Sequence, residues 1–233
     1  APARVEPPMD GSRNRRVCCW PLLLAALTVL GPWRALGGPE PSRPAALVVV
    51  SDDNYPPYIF RDASGKVRGI VPDQWAIWEA RTGVKVDLQA MDWSEAQRRM
   101  REGRADVLDT VFLTDERAKL YAFTPPYARI RVPVFVQRDL GGIGDIPSLK
   151  GFTIGVKEGD AVIDHLKERG IDSLKQYPSY DAVILAAKRL EIKVFSVDEP
   201  AAVYLLYKHG IAAEFRQSFV LYTGEFHRAV QKD

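Results

Sequence analysis

Short apolar runs and longer amphipathic segments alternate along this chain, and the alternation predicts an α/β fold. Residues 47–50 form a continuous, β-branched run of the kind found in strands that are buried on both faces of a parallel sheet. Residues 72–81 follow as a predicted helix, with proline near the first turn and Gly83 just past the end. This order predicts parallel sheets with right-handed crossovers and flanking helices.

The same pattern occurs twice, which predicts two lobes. The first series has strands at 47–50, 84–88 and 106–112, and helices at 72–81, at 94–101 capped by Ser94, and from Thr114 onward. The pattern then pauses, and a strand at 132–137 follows. The second series has strands at 153–156 and 193–197, and helices at 160–169, 180–189 and 200–209. We expect lobe 1 to hold residues 45–131 and 221–233, and lobe 2 to hold residues 132–220. Because ligands of open α/β sheets bind beyond the carboxyl ends of the strands, the cleft between the lobes predicts a small-molecule site that closes about a hinge.

The first 37 residues differ from the rest of the chain. Three arginines at positions 13, 15 and 16 precede an apolar run at 17–30, and the small residues Ala35 and Gly37 suit a signal peptidase. This pattern predicts a signal peptide and export to the periplasm, with an uncleaved signal anchor as the alternative. Residues 38–44 are rich in proline and are expected to form an extended linker.

Composition narrows the class of protein. Both cysteines, Cys18 and Cys19, fall in the leader, so disulfides, thiol catalysis and cysteine-ligated metals are excluded for residues 38–233. Residues 1–37 carry five of the 32 Lys and Arg but two of the 30 Asp and Glu, which leaves the remainder a formal charge of −1. With 46% hydrophobic and 27% charged residues, the composition is that of a soluble globular protein. It shows no basic cluster that would predict nucleic-acid binding.

Motifs spread over residues 45–233 resemble the type II periplasmic solute-binding proteins, bacterial extracellular solute-binding protein family 3, and in particular their amino-acid-binding branch. They are LVVVSDDNYPPYIF (47–60), MDWS (91–94), LTDER (113–117) with FTPPY (123–127), GVKEGD (155–160) and VDEP (197–200). The resemblance implies two lobes, each a mainly parallel sheet flanked by helices, joined by a two-strand hinge. It also implies a small-molecule ligand, an amino acid or a related carboxylate.

Two further segments, DTVFLT (109–114) and LYTGEFHRAV (221–230), are similar to the periplasmic sensor regions of GGDEF and EAL cyclic-di-GMP enzymes and of histidine kinases. In that family a last helix packs onto the first lobe after this point. We therefore expect lobe 1 to be incomplete at its C-terminus and the parent protein to carry membrane and cytoplasmic signalling domains. The resemblance implies a sensor input, and a free receptor of an ABC transporter is the alternative.

Arg117 and Asp198 are the candidates for the two charged ends of an amino acid. A guanidinium pairs with a carboxylate through two hydrogen bonds, and Arg117 lies in the first turn of a predicted helix whose amides also favour an anion. Its alternative role is an exposed pair with Glu116. The resemblance implies that Asp198 holds the ligand ammonium, and its alternative role is a helix N-cap. Phe112 stands where the transport branch has Ser or Thr, which weakens the expectation of an ordinary amino-acid site.

Other ligand contacts are expected beside these two residues. Tyr55 and Phe60 supply an aromatic wall at the mouth of the cleft, although core packing is a strong alternative for Phe60. Asp52 reaches a ligand cation or satisfies loop amides, and Thr110 and Thr114 offer hydroxyl and backbone contacts.

Asp160 follows the strand of the GVKEGD motif and is a further candidate for the cleft. The favoured role is an N-cap, because an anion there would repel a ligand carboxylate. If Asp160 does face the cleft, the sequence predicts a ligand that is more cationic or differently oriented than an ordinary amino acid.

The sequence predicts no catalytic residue, no metal site and no cofactor. Its three histidines lack metal-binding spacing, and no G-x-S-x-G elbow occurs. The enzyme alternative is a cyclohexadienyl (prephenate or arogenate) dehydratase, in which Glu158 or Asp160 would protonate a leaving hydroxyl.

Overall fold

The computed structural model describes residues 46–232. The predicted signal peptide or anchor at 1–37, the linker at 38–44, and Cys18 and Cys19 lie outside the described residues. Within residues 46–232, no helix is both long enough and apolar enough to span a membrane.

Twelve strands are present in the described residues, and nine of them form one sheet. The strands are β1 (Ala46–Asp52), β2 (Asn54–Tyr55), β3 (Ile59–Arg61), β4 (Val67–Arg68), β5 (Lys85–Met91), β6 (Val107–Phe112), β7 (Tyr121–Phe123), β8 (Ala128–Gln137), β9 (Ile154–Lys157), β10 (Leu174–Tyr177), β11 (Val194–Ser196) and β12 (Phe215–Gln231). The main sheet runs in the order β10-β9-β11-β8-β12-β6-β1-β5, and β7 pairs with β12.

Two parallel groups of strands lie at opposite ends of this sheet, as the repeated pattern predicts. In lobe 1, β1 pairs in parallel with β5 and β6, and in lobe 2, β9 pairs in parallel with β10 and β11. Between them, β8 and β12 pair with each other in antiparallel fashion and connect the two groups. The predicted α/β fold of two lobes joined by two strands is confirmed. The hinge strands also make the two sheets continuous, which the sequence pattern does not indicate.

Six α-helices flank the sheet in the part of the chain that the structure describes, and their starts follow capping chemistry. They are α1 (Ile70–Thr82), α2 (Trp93–Arg101), α3 (Asp115–Leu120), α4 (Ala161–Lys167), α5 (Tyr180–Lys188) and α6 (Glu199–Lys208). Thr114 caps α3 and Asp160 caps α4, as expected. The prediction that Ser94 caps the second helix is wrong, because Asp92 accepts hydrogen bonds from the amides of Ser94 and Glu95.

The second sheet, β2-β3-β4, is antiparallel, and its strand β3 contacts β1 of the main sheet. No hydrophobic run marks it in the sequence, since its strands have two or three residues each. Gly69, which follows β4, has a φ of 122°, and a Cβ there would lie 2.3 Å from the carbonyl oxygen of Tyr58. This close approach requires glycine, and it fixes the second sheet against the start of α1.

A buried carboxylate organises lobe 1. Asp109 is fully buried in β6, where its oxygens accept hydrogen bonds from the indole nitrogen of Trp75 at 2.6 Å and the hydroxyl of Tyr127 at 2.8 Å. The guanidinium of Arg228 pairs with the same carboxylate at 3.0 Å and lies over the Trp75 and Tyr127 rings. Asp109 therefore joins α1, β6, β12 and the start of β8 through one side chain.

We predict that Asp109→Ala destabilises the protein by about 3–5 kcal/mol, because it leaves a guanidinium, an indole and a phenol without their acceptor. Asp87→Ala is the control, since Asp87 is exposed on β5 and its replacement should change the unfolding free energy by no more than about 0.5 kcal/mol. Urea unfolding followed by circular dichroism measures both variants. Equal stabilities for the two variants would contradict the role given to Asp109.

Candidate functional site

The carboxyl ends of the parallel strands of both lobes face one another across a small cavity. Asp52 is the last residue of β1 and Lys157 the last residue of β9, so each lobe places a charged side chain at its strand end. Of the eight residues predicted to bind ligand, six line this cavity: Asp52, Tyr55, Thr110, Arg117, Asp160 and Asp198. The chain thus brings together acidic, basic and aromatic side chains that are far apart in sequence.

Phe60 and Thr114 lie outside the cavity lining. Side chains alternate along β3, so Ile59 points into the core while the Phe60 ring packs against Tyr204 of α6, with 5.8 Å between ring centroids. Thr114 points to the amide of Arg117, from which its hydroxyl accepts a hydrogen bond of 3.3 Å as the N-cap of α3. Thr114 also borders a wider groove on the outer side of Phe112.

Arg117 lies between the two lobes. Its guanidinium donates to the carbonyl oxygens of Phe112 at 3.0 Å and Gly159 at 3.2 Å, and it lies 5.6 Å from the ring centre of Trp93. Burial lowers the pKa of Arg117, and the Asp160 carboxylate opposes that shift. Arginine keeps its charge in proteins, so the cavity wall carries a fixed positive group. No pair between Arg117 and Glu116, its alternative role, is present in the described residues.

Asp198 precedes α6, but its side chain makes no capping hydrogen bond. One carboxyl oxygen accepts from the hydroxyl of Tyr55 at 2.7 Å, and the other is buried without a hydrogen-bond partner. Burial and the negative charge of Asp160 raise the pKa of Asp198 to about 8. The carboxyl group is therefore available to the cavity rather than used by the helix.

Asp160 is both a helix cap and part of the cavity wall. It accepts a hydrogen bond from the amide of Val162 at 3.2 Å and another from the hydroxyl of Tyr180 at 2.5 Å. Asp160 therefore does face the cleft, where it adds a second carboxylate beside Asp198. The cavity lining contains three acidic residues and two basic residues, Arg117 and Lys157, and Asp198 holds its proton below about pH 8.

Thr110 adopts a backbone conformation that is rare for a β-branched residue, with a φ of 54°. Its hydroxyl shares a hydrogen bond of 2.9 Å with Ser51, and the register between β6 and β12 shifts here between His227 and Ala229. The irregularity turns Asp109 into lobe 1 and Thr110 toward the cavity. Strained residues of this kind cluster at functional sites, where the surrounding structure holds them in place.

Lys157 is the main residue of the site that the sequence does not single out. It is buried, and its ammonium forms an ion pair with the carboxylate of Asp52 in the opposite lobe. The ammonium also lies 4.1 Å from the ring centre of Tyr180, 5.4 Å from that of Trp93 and 5.9 Å from that of Tyr55. The signal in the sequence is a lysine that ends an apolar strand, since lysine is almost never fully buried unless it is paired.

The two lobes are closed in this structure. The carbonyl oxygen of Gly159 in lobe 2 accepts hydrogen bonds from lobe 1, including one of 3.0 Å from the indole of Trp93. Gly159 has a φ of 67°, and a Cβ there would lie 2.7 Å from the side-chain nitrogen of Gln97. The cavity left between the lobes measures about 30 Å³, which is room for little more than a water molecule.

Within residues 46–232, no group of three or more His, Asp or Glu is arranged to hold a metal ion. Glu158, one of the two acids considered for a dehydratase, is exposed and does not line the cavity. Asp160, the other, lines the cavity with its carboxylate bonded to Tyr180.

Comparison with known proteins agrees with this architecture. The family described as bacterial extracellular solute-binding proteins, family 3, matches residues 47–188. The chain belongs to this family. The L-cystine-binding protein TcyJ of Escherichia coli (strain K12) is 28% identical over 130 residues, which are 54% of this chain and 49% of TcyJ. The chain spans about half the length of the curated relatives it matches.

Solved structures show the same two-lobed fold. A histidine kinase sensor domain with similarity to periplasmic binding proteins superposes with a TM-score of 0.76 at 23% identity, covering 80% of this chain and 82% of that one. The holo form of ArgBP from T. maritima gives a TM-score of 0.72 at 22% identity, covering 81% of this chain and 83% of ArgBP. These similarities show that the chain has the type II periplasmic binding fold.

We predict that Asp198 makes stability depend on pH. The folded chain holds a proton on Asp198 that the unfolded chain releases above pH 3.8, so its contribution is complete below that pH and is lost as the pH rises toward about 8. Relative to Asp198→Asn, the wild-type chain should lose on the order of a few kcal/mol across this range. Urea unfolding of both chains at several pH values measures the difference. Parallel stability profiles would contradict a raised pKa at Asp198.

Proposed function

We propose that this chain is a periplasmic binding domain for a small amino-acid-like or organic-acid molecule, and that it closes its cleft on that ligand. The observation that carries the proposal is the placement of Arg117 and Asp198 in one cavity at the strand ends of the two lobes. A guanidinium and a carboxyl group that line one cavity suit a zwitterion or a carboxylate with a polar partner group. Membership of a solute-binding family supports the same role.

Arg117 is the proposed ligand for a carboxylate. Its present contact with Gly159 crosses between the lobes, so opening the cleft releases that part of the guanidinium. A carboxylate that enters the open cleft then meets a planar donor able to make two charge-assisted hydrogen bonds. On closure the carboxylate would replace the Gly159 carbonyl oxygen as the acceptor.

Asp198 is the proposed partner for a ligand ammonium or other hydrogen-bond donor. One of its oxygens is buried without a partner, and an unpaired buried acceptor is unfavourable until a donor reaches it. A cationic donor would also favour loss of the proton that Asp198 holds, because the shift arises from burial and from the Asp160 charge. Ligand binding and deprotonation of Asp198 are therefore expected to be coupled.

We favour a sensor input over a transport receptor. The similarity of DTVFLT and of the β12 segment to sensor regions supports this choice, and the fold itself occurs in a histidine kinase sensor domain. Ligand-driven closure would shift the balance between open and closed lobes, and signalling domains of the parent protein would respond to that shift. The gene's reading frame beyond residue 233 tests this. A membrane helix followed by a catalytic domain is expected, and a stop codon at that point favours the ABC transporter receptor.

Arg117→Ala is predicted to weaken ligand binding by about 2–5 kcal/mol, or about 30-fold or more in Kd, because a buried charge pair loses one partner. The measurement is a thermal-shift screen of amino acids and organic acids on the 233-residue chain, followed by calorimetry with the best ligand. Arg101→Ala, which removes an exposed arginine at the end of α2, should keep the wild-type Kd. An unchanged Kd in Arg117→Ala would show that the carboxylate binds elsewhere.

A further inference from the structure

The ammonium group of Lys157 occupies a site that has the composition of a cation-binding box. Three aromatic rings, those of Tyr55, Trp93 and Tyr180, lie between 4.1 and 5.9 Å from it, and the Asp52 carboxylate neutralises it. Rings that present their faces together with one carboxylate are the usual protein receptor for an alkylammonium ion. The box is therefore built for a cation, and the chain itself supplies that cation.

The box is part of the solute cavity and is not a separate structural ion pair. Asp52, Tyr55 and Trp93 come from lobe 1, whereas Lys157 and Tyr180 come from lobe 2, and all five line the cavity. A second oxygen of Asp52 accepts from the amide of Asn54 at 3.0 Å, so the carboxylate is held in position by its own loop. The pair forms across the surface at which the lobes separate.

A gain in folding stability does not by itself explain a buried ion pair such as Lys157–Asp52. Removing two charges from water costs free energy that their attraction often fails to offset, and a packed apolar pair usually stabilises a core as well. The pair lies at the strand ends, where solute-binding proteins of this family close on a ligand. This position has a more specific consequence than stability. An ammonium already bound there excludes any second ammonium from the same place.

We infer that Lys157 is a specificity-determining residue, a tethered ammonium that fills the cation-binding box and excludes ligands with a cationic side chain. The inference rests on the proposed function in that it takes the cavity to be the solute site. It assigns to this cleft zwitterions and acids without a second positive charge. L-lysine and L-arginine would bring a second cation to the box of rings and carboxylate that the Lys157 ammonium already occupies.

The first test removes the tethered ammonium and returns it as a free ion. Lys157→Ala deletes the atoms that n-propylammonium contains, so n-propylammonium chloride at millimolar concentration should raise the melting temperature of this variant and leave the wild-type chain unchanged. The neutral 1-propanol should have no such effect. The double variant Lys157→Ala with Asp52→Asn should lose the rescue, because the box no longer carries a charge.

The second test reads selectivity by calorimetry with L-lysine and L-norleucine, which differ only in the side-chain ammonium. In Lys157→Ala, the preference for L-lysine over L-norleucine should rise by about tenfold or more relative to the wild-type chain. Lys175→Ala is the matched control, because it removes an exposed lysine of the same lobe whose ammonium also lies over a ring, that of Tyr177. This control should keep the wild-type preference.

Where Lys157→Ala folds, two results would overturn the inference. One is a wild-type chain that binds L-lysine or L-arginine as tightly as Lys157→Ala does. The other is a folded Lys157→Ala chain that n-propylammonium stabilises no more than 1-propanol does.

If Lys157→Ala folds only when n-propylammonium is added, the inference is supported. If n-propylammonium does not restore folding while the isosteric Lys157→Met folds, it is overturned. Rescue by n-propylammonium without binding of any amino or organic acid would uphold the box and refute the proposed function.

Discussion

The ion pair between Lys157 and Asp52 is the interaction on which the closed cleft depends. It joins the last residue of β9 to the last residue of β1, so it ties the carboxyl end of one sheet to that of the other. Both partners are buried, and neither could be buried alone without a large cost in solvation. The pair therefore requires the lobes to be together, and the aromatic rings around it can be desolvated only in that arrangement. Burial in the same cavity, together with the charge of Asp160, raises the pKa of Asp198.

A second buried charge, that of Asp109, positions the residues that lobe 1 contributes to the site. Asp109 anchors α1, β12 and the Tyr127 loop, and its neighbour Thr110 takes the strained conformation that faces the cavity. Strain of this kind persists only where surrounding contacts hold it. The position of the cavity wall is thus a consequence of hydrogen bonds on the far side of β6. This explains how a fold held by core packing also fixes polar groups in the cleft.

Local patterns in the sequence predict the six described helices, the parallel strands other than β10 and the two-lobed fold, because apolar periodicity and capping residues act over a few positions. The resemblance to solute-binding proteins, rather than local pattern, singles out Arg117 and Asp198 at strand-to-helix junctions. Local patterns miss the short strands β2 to β4, which lack a hydrophobic run, and the true cap of α2, where Asp92 competes with Ser94. They miss Lys157 as well. Its carboxylate partner, Asp52, lies 105 positions away in the other lobe, and only the folded chain brings the two together.

The central claim is that the Lys157–Asp52 charge pair shifts the ligand-free chain toward the closed cleft, in balance with the open form that a ligand enters. Small-angle X-ray scattering on the ligand-free 233-residue chain at neutral pH, compared with Asp52→Asn, tests it most directly. Asp52→Asn leaves Lys157 without its carboxylate, so the account predicts a larger radius of gyration for this variant than for the wild-type chain, with both folded by circular dichroism. Equal radii of gyration for the two folded chains would contradict it.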